Sequence, residues 1–123
     1  MYTLDTNAII YFLKDDPSAV SFFQSILSYE FPLYVSAVTE AELFSFPSLS
    51  HEEVEKIEEI LRTVAVIPLD SRIARIAGQL RRMYKTGLAD SVISATALFT
   101  KTAIVTRNVR DFQKIPHLLL KKI

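Results

Sequence analysis

The chain opens with Met1-Tyr2-Thr3-Leu4-Asp5-Thr6-Asn7-Ala8-Ile9-Ile10-Tyr11-Phe12-Leu13, and the reading of this stretch decides the fold. Tyr2 to Leu4 has the pattern of a short strand, and Asn7 to Leu13 that of a short buried helix stopped before Asp16-Pro17. Only Asp5 and Thr6 stand between strand and helix, with no hairpin turn. A strand that runs straight into a helix is half of a βαβ unit, which builds parallel sheets. Asp5 therefore projects from the carboxyl edge of a strand, where ligands bind in such sheets.

The same alternation continues downstream. Pro17 suits the first turn of a second helix, in which Val20, Phe23 and Leu27 recur at helical spacing through Ser28, until Phe31-Pro32 breaks it. Leu33 to Ser36 reads as a strand and Val38 to Phe44 as a helix. Ser50 and Glu53 form a capping box that opens a helix with the apolar stripe Val54, Ile57 and Leu61. Val64 to Leu69 is a β-branched run whose Pro68 puts its far end at a sheet edge. Asp70 and Ser71 are candidate caps for a helix that buries Ile73, Ile76, Ala77, Leu80 and Met83 and exposes Arg72, Arg75, Gln79 and Arg82, with Gly87 as its stop. Asp90 begins an apolar helix, Ala103 to Thr106 is a buried strand, and Leu118 to Leu120 is expected to be the last. The expected fold is a three-layer α/β/α sandwich with a mainly parallel central sheet, in one domain over residues 1–123.

Composition narrows the function classes. Absence of cysteine excludes disulfides and thiolate metal sites. Apolar runs fall far short of the roughly 20 residues that span a bilayer, so no membrane partner is expected; with no secretory leader at the start, a cytoplasmic location is expected. Net charge is zero but unevenly spread: residues 1–61 carry two lysines against eleven acids, and residues 62–123 carry twelve Lys and Arg against three acids. If those halves segregate in space, the second half suits a phosphate backbone and the first supplies carboxylates for a cation.

Four acidic pieces sit where strands end or helices begin: Leu4-Asp5-Thr6-Asn7, Thr39-Glu40-Ala41-Glu42-Leu43, Leu88-Ala89-Asp90-Ser91 and Thr106-Arg107-Asn108-Val109-Arg110-Asp111-Phe112. Taken singly, each has a bland explanation. Asp5 and Asp90 could be helix N-caps, and Asp111 a turn residue. Glu42 lies inside its helix, so capping does not explain it; Glu40 is about 200° around from it, so at most one of the two faces a given site.

Together, this set and order resembles the PIN-domain nucleases, and within them the VapC-type toxins of prokaryotic toxin–antitoxin pairs. The resemblance spans essentially the whole chain, through residues 4–7, 36–43, 88–97 and 104–112. It implies that Asp5, Glu42 and Asp90 bind metal, with Glu42 rather than Glu40 matching the family's Thr-x-x-Glu-Leu, and that Thr6, Asn7, Thr106 and Asn108 support them. For the fourth acid the family often has Asp two residues after the Thr, where this chain has Asn108, and otherwise uses the Asp before Phe, here Asp111. Phe46 stands where a small residue is common.

Carboxylates gathered closely raise one another's pKa unless a hard cation neutralises them, and oxygen ligands alone select Mg²⁺ or Mn²⁺. Such an ion aims a water at a phosphodiester. His51 and His117 lie in peripheral contexts, which argues against imidazole catalysis. The expected function is a Mg²⁺- or Mn²⁺-dependent endoribonuclease acting on RNA, a homodimer blocked by a cognate antitoxin. Arg72, Arg75, Arg82, Arg107 and Arg110 are the candidate RNA contacts; the competing expectation is that Arg107 and Arg110 pair with the acidic helix at residues 52–59, or with an antitoxin. Two other classes remain: a catalytically weak PIN-like RNA-binding or scaffold module, which Asn108 favours, and an aspartyl-phosphate receiver, whose Asp-x-Asp pattern and late-strand Lys are missing.

Overall fold

A computed structural model describes residues 1–27, with Leu27 by its backbone alone, and 32–123. Among these residues five strands form one parallel sheet in the order β3-β2-β1-β4-β5: β1 (Tyr2–Leu4), β2 (Leu33–Ser36), β3 (Ala65–Ile67), β4 (Ala103–Thr106) and β5 (Leu120–Lys122). The first strand is central. Among the described residues seven helices connect the strands: α1 (Thr6–Leu13), α2 (Pro17–Leu27), α3 (Ala37–Leu43), α4 (His51–Arg62), α5 (Ser71–Tyr84), α6 (Leu88–Thr100) and α7 (Val109–Phe112). Among the described residues no helix is long and apolar enough to cross a membrane.

Strand alternation splits the core into two faces. Leu4, Leu33, Val35 and Val105 pack under α1, α2 and α4 with Ala8, Ile9, Phe23 and Ile57. On the other face Ile104 meets Ile93 and Ala97 of α6 and Phe112 of α7. Helix α6 covers the middle of the sheet, touching β1, β2 and β4, and is buried from Ser91 through Ala97. A sheet covered on both faces is what an all-parallel arrangement requires.

Local signals explain most boundaries. Pro17 opens α2, and Asp16 Oδ2 accepts the Ala19 N–H at 3.1 Å. The Ser50/Glu53 capping box is complete, and Asp70 caps α5 by accepting the Ile73 N–H at 2.9 Å. As Pro68 implies, β3 is an edge strand.

Four expectations need correction. Helix α5 stops at Tyr84 rather than at Gly87, because Lys85 itself turns left-handed (φ 57°) and ends it; Gly87 is the N-cap of the next helix. Asp90 is accordingly in the first turn of α6, not its cap. Met83 is 55% exposed, because the inward stripe of α5 runs through Ile73, Ala77 and Leu80 to Tyr84, which packs against the core in its place. The last strand lies at 120–122, two residues later than expected, because Leu118 packs into the core while Lys121 and Lys122 pair with β4 as an exposed edge. The Leu27 side chain, Ser28 and Phe31 lie outside the described residues.

Candidate active site: an acid cluster at the sheet switch point

The strand order reverses between β1 and β4: the chain builds β2 and β3 on one side of β1, then returns to place β4 and β5 on the other. Crevices at such reversals, beyond the carboxyl ends of the strands, are where open parallel sheets bind ligands. Asp5 ends β1, and its N–H is held by the Val105 carbonyl at 3.1 Å. It occupies the N-cap position of α1, yet its side chain makes no capping bond. Instead its Oδ2 accepts the Thr106 hydroxyl across the switch point at 2.8 Å. The cap explanation for the Asp5 carboxylate is therefore wrong; it is held for something else.

The other acids converge on it. Thr6, the first residue of α1, has its Oγ1 at 2.7 Å from Glu42 Oε1 and 3.0 Å from Thr39 Oγ1. Its single proton favours the carboxylate, the shorter and charge-assisted contact. Glu42 thus turns toward Asp5's end of α1; no such tie holds Glu40 among the described residues. Asn108 Nδ2 donates to Asp111 Oδ2 at 2.9 Å, and its N–H donates to Thr106 Oγ1 at 2.9 Å. Threonine 106 therefore relays between the two ends of the cluster. Asn7 is exposed at the rim.

Electrostatics show the cost of this gathering. Burial pushes the Asp5 carboxyl up to about 6 from 3.8; Asp90 and Glu42 add repulsion, and the Thr106 hydroxyl opposes it. Burial also raises Asp90, with Asp111 and Glu42 as repelling neighbours and Lys114 as a partial counterweight. All four acids thus share one electrostatic neighbourhood. Among the described residues they do not close into a ready-made cage of three ligands. Their donor chemistry nevertheless fits a hard divalent cation, with oxygen ligands only. His51 pairs with Glu55 on α4 and His117 is exposed, so neither imidazole belongs to the cluster.

The arginines divide. Arg75, Arg82 and Arg110 are exposed. The Arg72 guanidinium lies over the Phe99 ring, 4.2 Å from its centroid, with Asp70 3.7 Å away. Arg107 turns inward: it binds both Asp16 carboxylate oxygens at 2.7 and 3.2 Å, stacks on Tyr11 at 4.1 Å, and donates from Nε to the Ile123 carbonyl at 3.2 Å. Its expected alternative partner, the acidic helix, is not the one it takes. That Arg107 bond holds the Asp16 carboxyl below its usual range. In the sequence Asp16 marks only a helix boundary and Thr39 carries no signal of belonging to the cluster; nothing local distinguishes a capping Asp that also meets an arginine 91 residues away.

Two apolar grooves of about 350 Å³ each lie apart from the chemistry, flanking Lys56 of α4. One is lined by Ile9, Phe12, Phe23 and Ile60, the other by Ile10, Leu13, Phe46 and Leu49. Neither contains any of the four acids.

The family model described as PIN domain matches residues 2–118. This chain belongs to the PIN-domain family. Ribonuclease VapC1 of Haemophilus influenzae (strain R2866) is 32% identical to this PIN domain over 96% of the chain and 94% of its own length. The structure of VapBC-1 from nontypeable Haemophilus influenzae superposes with a TM-score of 0.81 at 31% identity, covering 98% of this chain and 96% of that one. A toxin–antitoxin complex from Klebsiella pneumoniae gives a TM-score of 0.81 at 26% identity over the full length of both chains.

Proposed function

We propose that residues 1–123 form one nuclease domain, a divalent-metal-dependent endoribonuclease that is the toxin of a toxin–antitoxin pair. The observation that carries this reading is the buried Asp5 carboxylate, held by Thr106 at the switch point amid Glu42, Asp90 and Asp111. Carboxylates that repel one another in this way are stabilised by a bound cation. Relatives named ribonuclease and structural neighbours in toxin–antitoxin complexes support the substrate and partner classes. An RNA substrate and a proteinaceous antitoxin imply action in the cytoplasm. A homodimer is the proposed assembly.

Asp5, Glu42, Asp90 and Asp111 would hold Mg²⁺ or Mn²⁺, and the ion would supply Lewis-acid charge neutralisation and an activated water for phosphodiester hydrolysis. The chain's own contribution is to orient those oxygens. Thr106 fixes the Asp5 carboxylate, Thr6 fixes Glu42, and Asn108 fixes Asp111. The reading is direct hydrolysis by water without a covalent intermediate, because the carboxylates are assigned to the metal and the Thr6 and Thr106 hydroxyls donate to Glu42 and Asp5.

The test is cleavage of single-stranded RNA with Mn²⁺ against EDTA, beside Asp90→Asn. We expect metal-dependent cleavage by the parent, and neither cleavage nor calorimetric Mn²⁺ binding by the folded variant. Unchanged Mn²⁺ binding in Asp90→Asn would overturn the site assignment.

A further inference from the structure

Arg107 stands between the two residues that hold the acid cluster, yet its own side chain reaches elsewhere. Thr106 on one side donates to Asp5, and Asn108 on the other donates to Asp111. The Arg107 guanidinium meanwhile grips three separate parts of the chain: Asp16 at the α1–α2 corner, the Tyr11 ring on α1, and the carbonyl of Ile123 at the carboxyl terminus. Each is itself tied into the fold. Asp16 caps α2 through the Ala19 N–H; Tyr11 is on the helix that Asp5 begins; and the Ile123 N–H donates to the Thr106 carbonyl at 3.3 Å.

We infer that Arg107 is a positioning residue: by clamping the β4–α7 turn to the α1–α2 corner and the carboxyl terminus, it sets Thr106 against Asp5 and Asn108 against Asp111. An exposed ion pair would be a weak brace. This pair is two-pronged and stacked on an aromatic ring, with only 32% of the Arg107 side chain and 26% of the Asp16 side chain exposed. That geometry uses the planar fork that lysine lacks. The alternative, an RNA phosphate contact, would have to use the N–H groups that Asp16 and Ile123 leave over, on a charge Asp16 already pairs.

The kinetic part of the inference rests on the ribonuclease reading; the metal-binding part does not. Arg107→Met and Asp16→Asn would be compared with the parent, as full chains, by Mn²⁺ calorimetry, melting temperature, and RNA cleavage at temperatures where all are folded. Groups that orient metal ligands typically matter by 10- to 100-fold. Acting one step further out, both substitutions should weaken Mn²⁺ binding by about threefold to tenfold and lower kcat by about tenfold, leaving KM for RNA and its salt dependence unchanged. Lower melting temperatures with unaltered Mn²⁺ affinity and kcat would reduce the clamp to a stability element and overturn the inference. A raised KM in Arg107→Met with tighter RNA binding in Asp16→Asn would overturn it in favour of a phosphate contact. If Arg107→Met fails to fold, Arg107→Lys carries the same test, since it keeps the charge but loses the fork and the stack. A parent that binds Mn²⁺ but cuts no RNA would defeat the ribonuclease reading, while the Mn²⁺ titrations still decide the role of Arg107.

Discussion

Replacing Asp5 by Asn should stabilise this protein when metal is withheld. The Asp5 residue is 3% exposed, and its carboxyl is pushed up from 3.8 to about 6, by burial first and by Asp90 and Glu42 after it. That shift of roughly two pH units corresponds to about 3 kcal/mol lost from folding stability once the group is ionised. Asparagine has nearly the same shape, and its Oδ1 still accepts the Thr106 hydroxyl. Part of the gain is returned because that bond is no longer charge-assisted, leaving an expected stabilisation of about 2 kcal/mol, or roughly 5–10 °C in Tm for a chain of this size. The measurement is calorimetric melting of both proteins in EDTA at pH 7.5 and fixed concentration. A raised folded-state pKa means that the native state binds more protons between pH 4 and 6, so the parent's deficit is full above about pH 6 and vanishes toward pH 4. The gap between variant and parent should therefore close on acidification. Saturating Mn²⁺ should invert the order, since only the parent gains binding free energy. A variant no more stable than the parent in EDTA, or a gap indifferent to pH, would refute the account of Asp5 as a charge held against its own preference.

Three further outcomes are expected. Glu42→Gln should lose at least about 100-fold in cleavage whereas Glu40→Gln stays within about tenfold, because Thr6 ties only Glu42 to the cluster; equal losses in a cleavage assay would mean the helix phase is misread. Alanine at the exposed Arg75, Arg82 and Arg110 should flatten the slope of log binding constant against log salt by about 0.7 per phosphate contact removed, measured on single-stranded RNA with Mn²⁺ binding as an unaffected control; a parental slope would retire them as RNA contacts. Lys101→Gly should stabilise the chain by about 0.5–1 kcal/mol in urea unfolding, since Lys101 ends α6 in the left-handed conformation at φ 56°; a loss of stability would mean that the Lys101 side chain contributes more than its backbone costs.

Strand–helix alternation and most of what punctuates it are legible in the residues themselves. Leu4-Asp5-Thr6 contains strand, acid and helix start without a turn. Pro17, the Ser50/Glu53 box, Asp70 and the edge proline at 68 carry their meaning in local backbone chemistry, so their effects appear where expected. The ends that went astray are those local chemistry underdetermines. Lys85 adopts a left-handed turn that glycine would have announced, and β5 takes its register from backbone pairing with β4 rather than from any apolar pattern of its own. Glu42 could be preferred to Glu40 by family likeness, but only the fold supplies Thr6 as the reason. Tertiary structure alone decided that Asp5 meets Thr106 across 101 residues. It also decided that Asp90 sits inside its helix's first turn beside other acids, and that Arg107 is spent on Asp16, Tyr11 and Ile123 rather than facing outward. A charged residue's type is local, but its partner is whichever group the packed sheet and helices bring within about 4 Å, where screening by water weakens and pairing becomes specific.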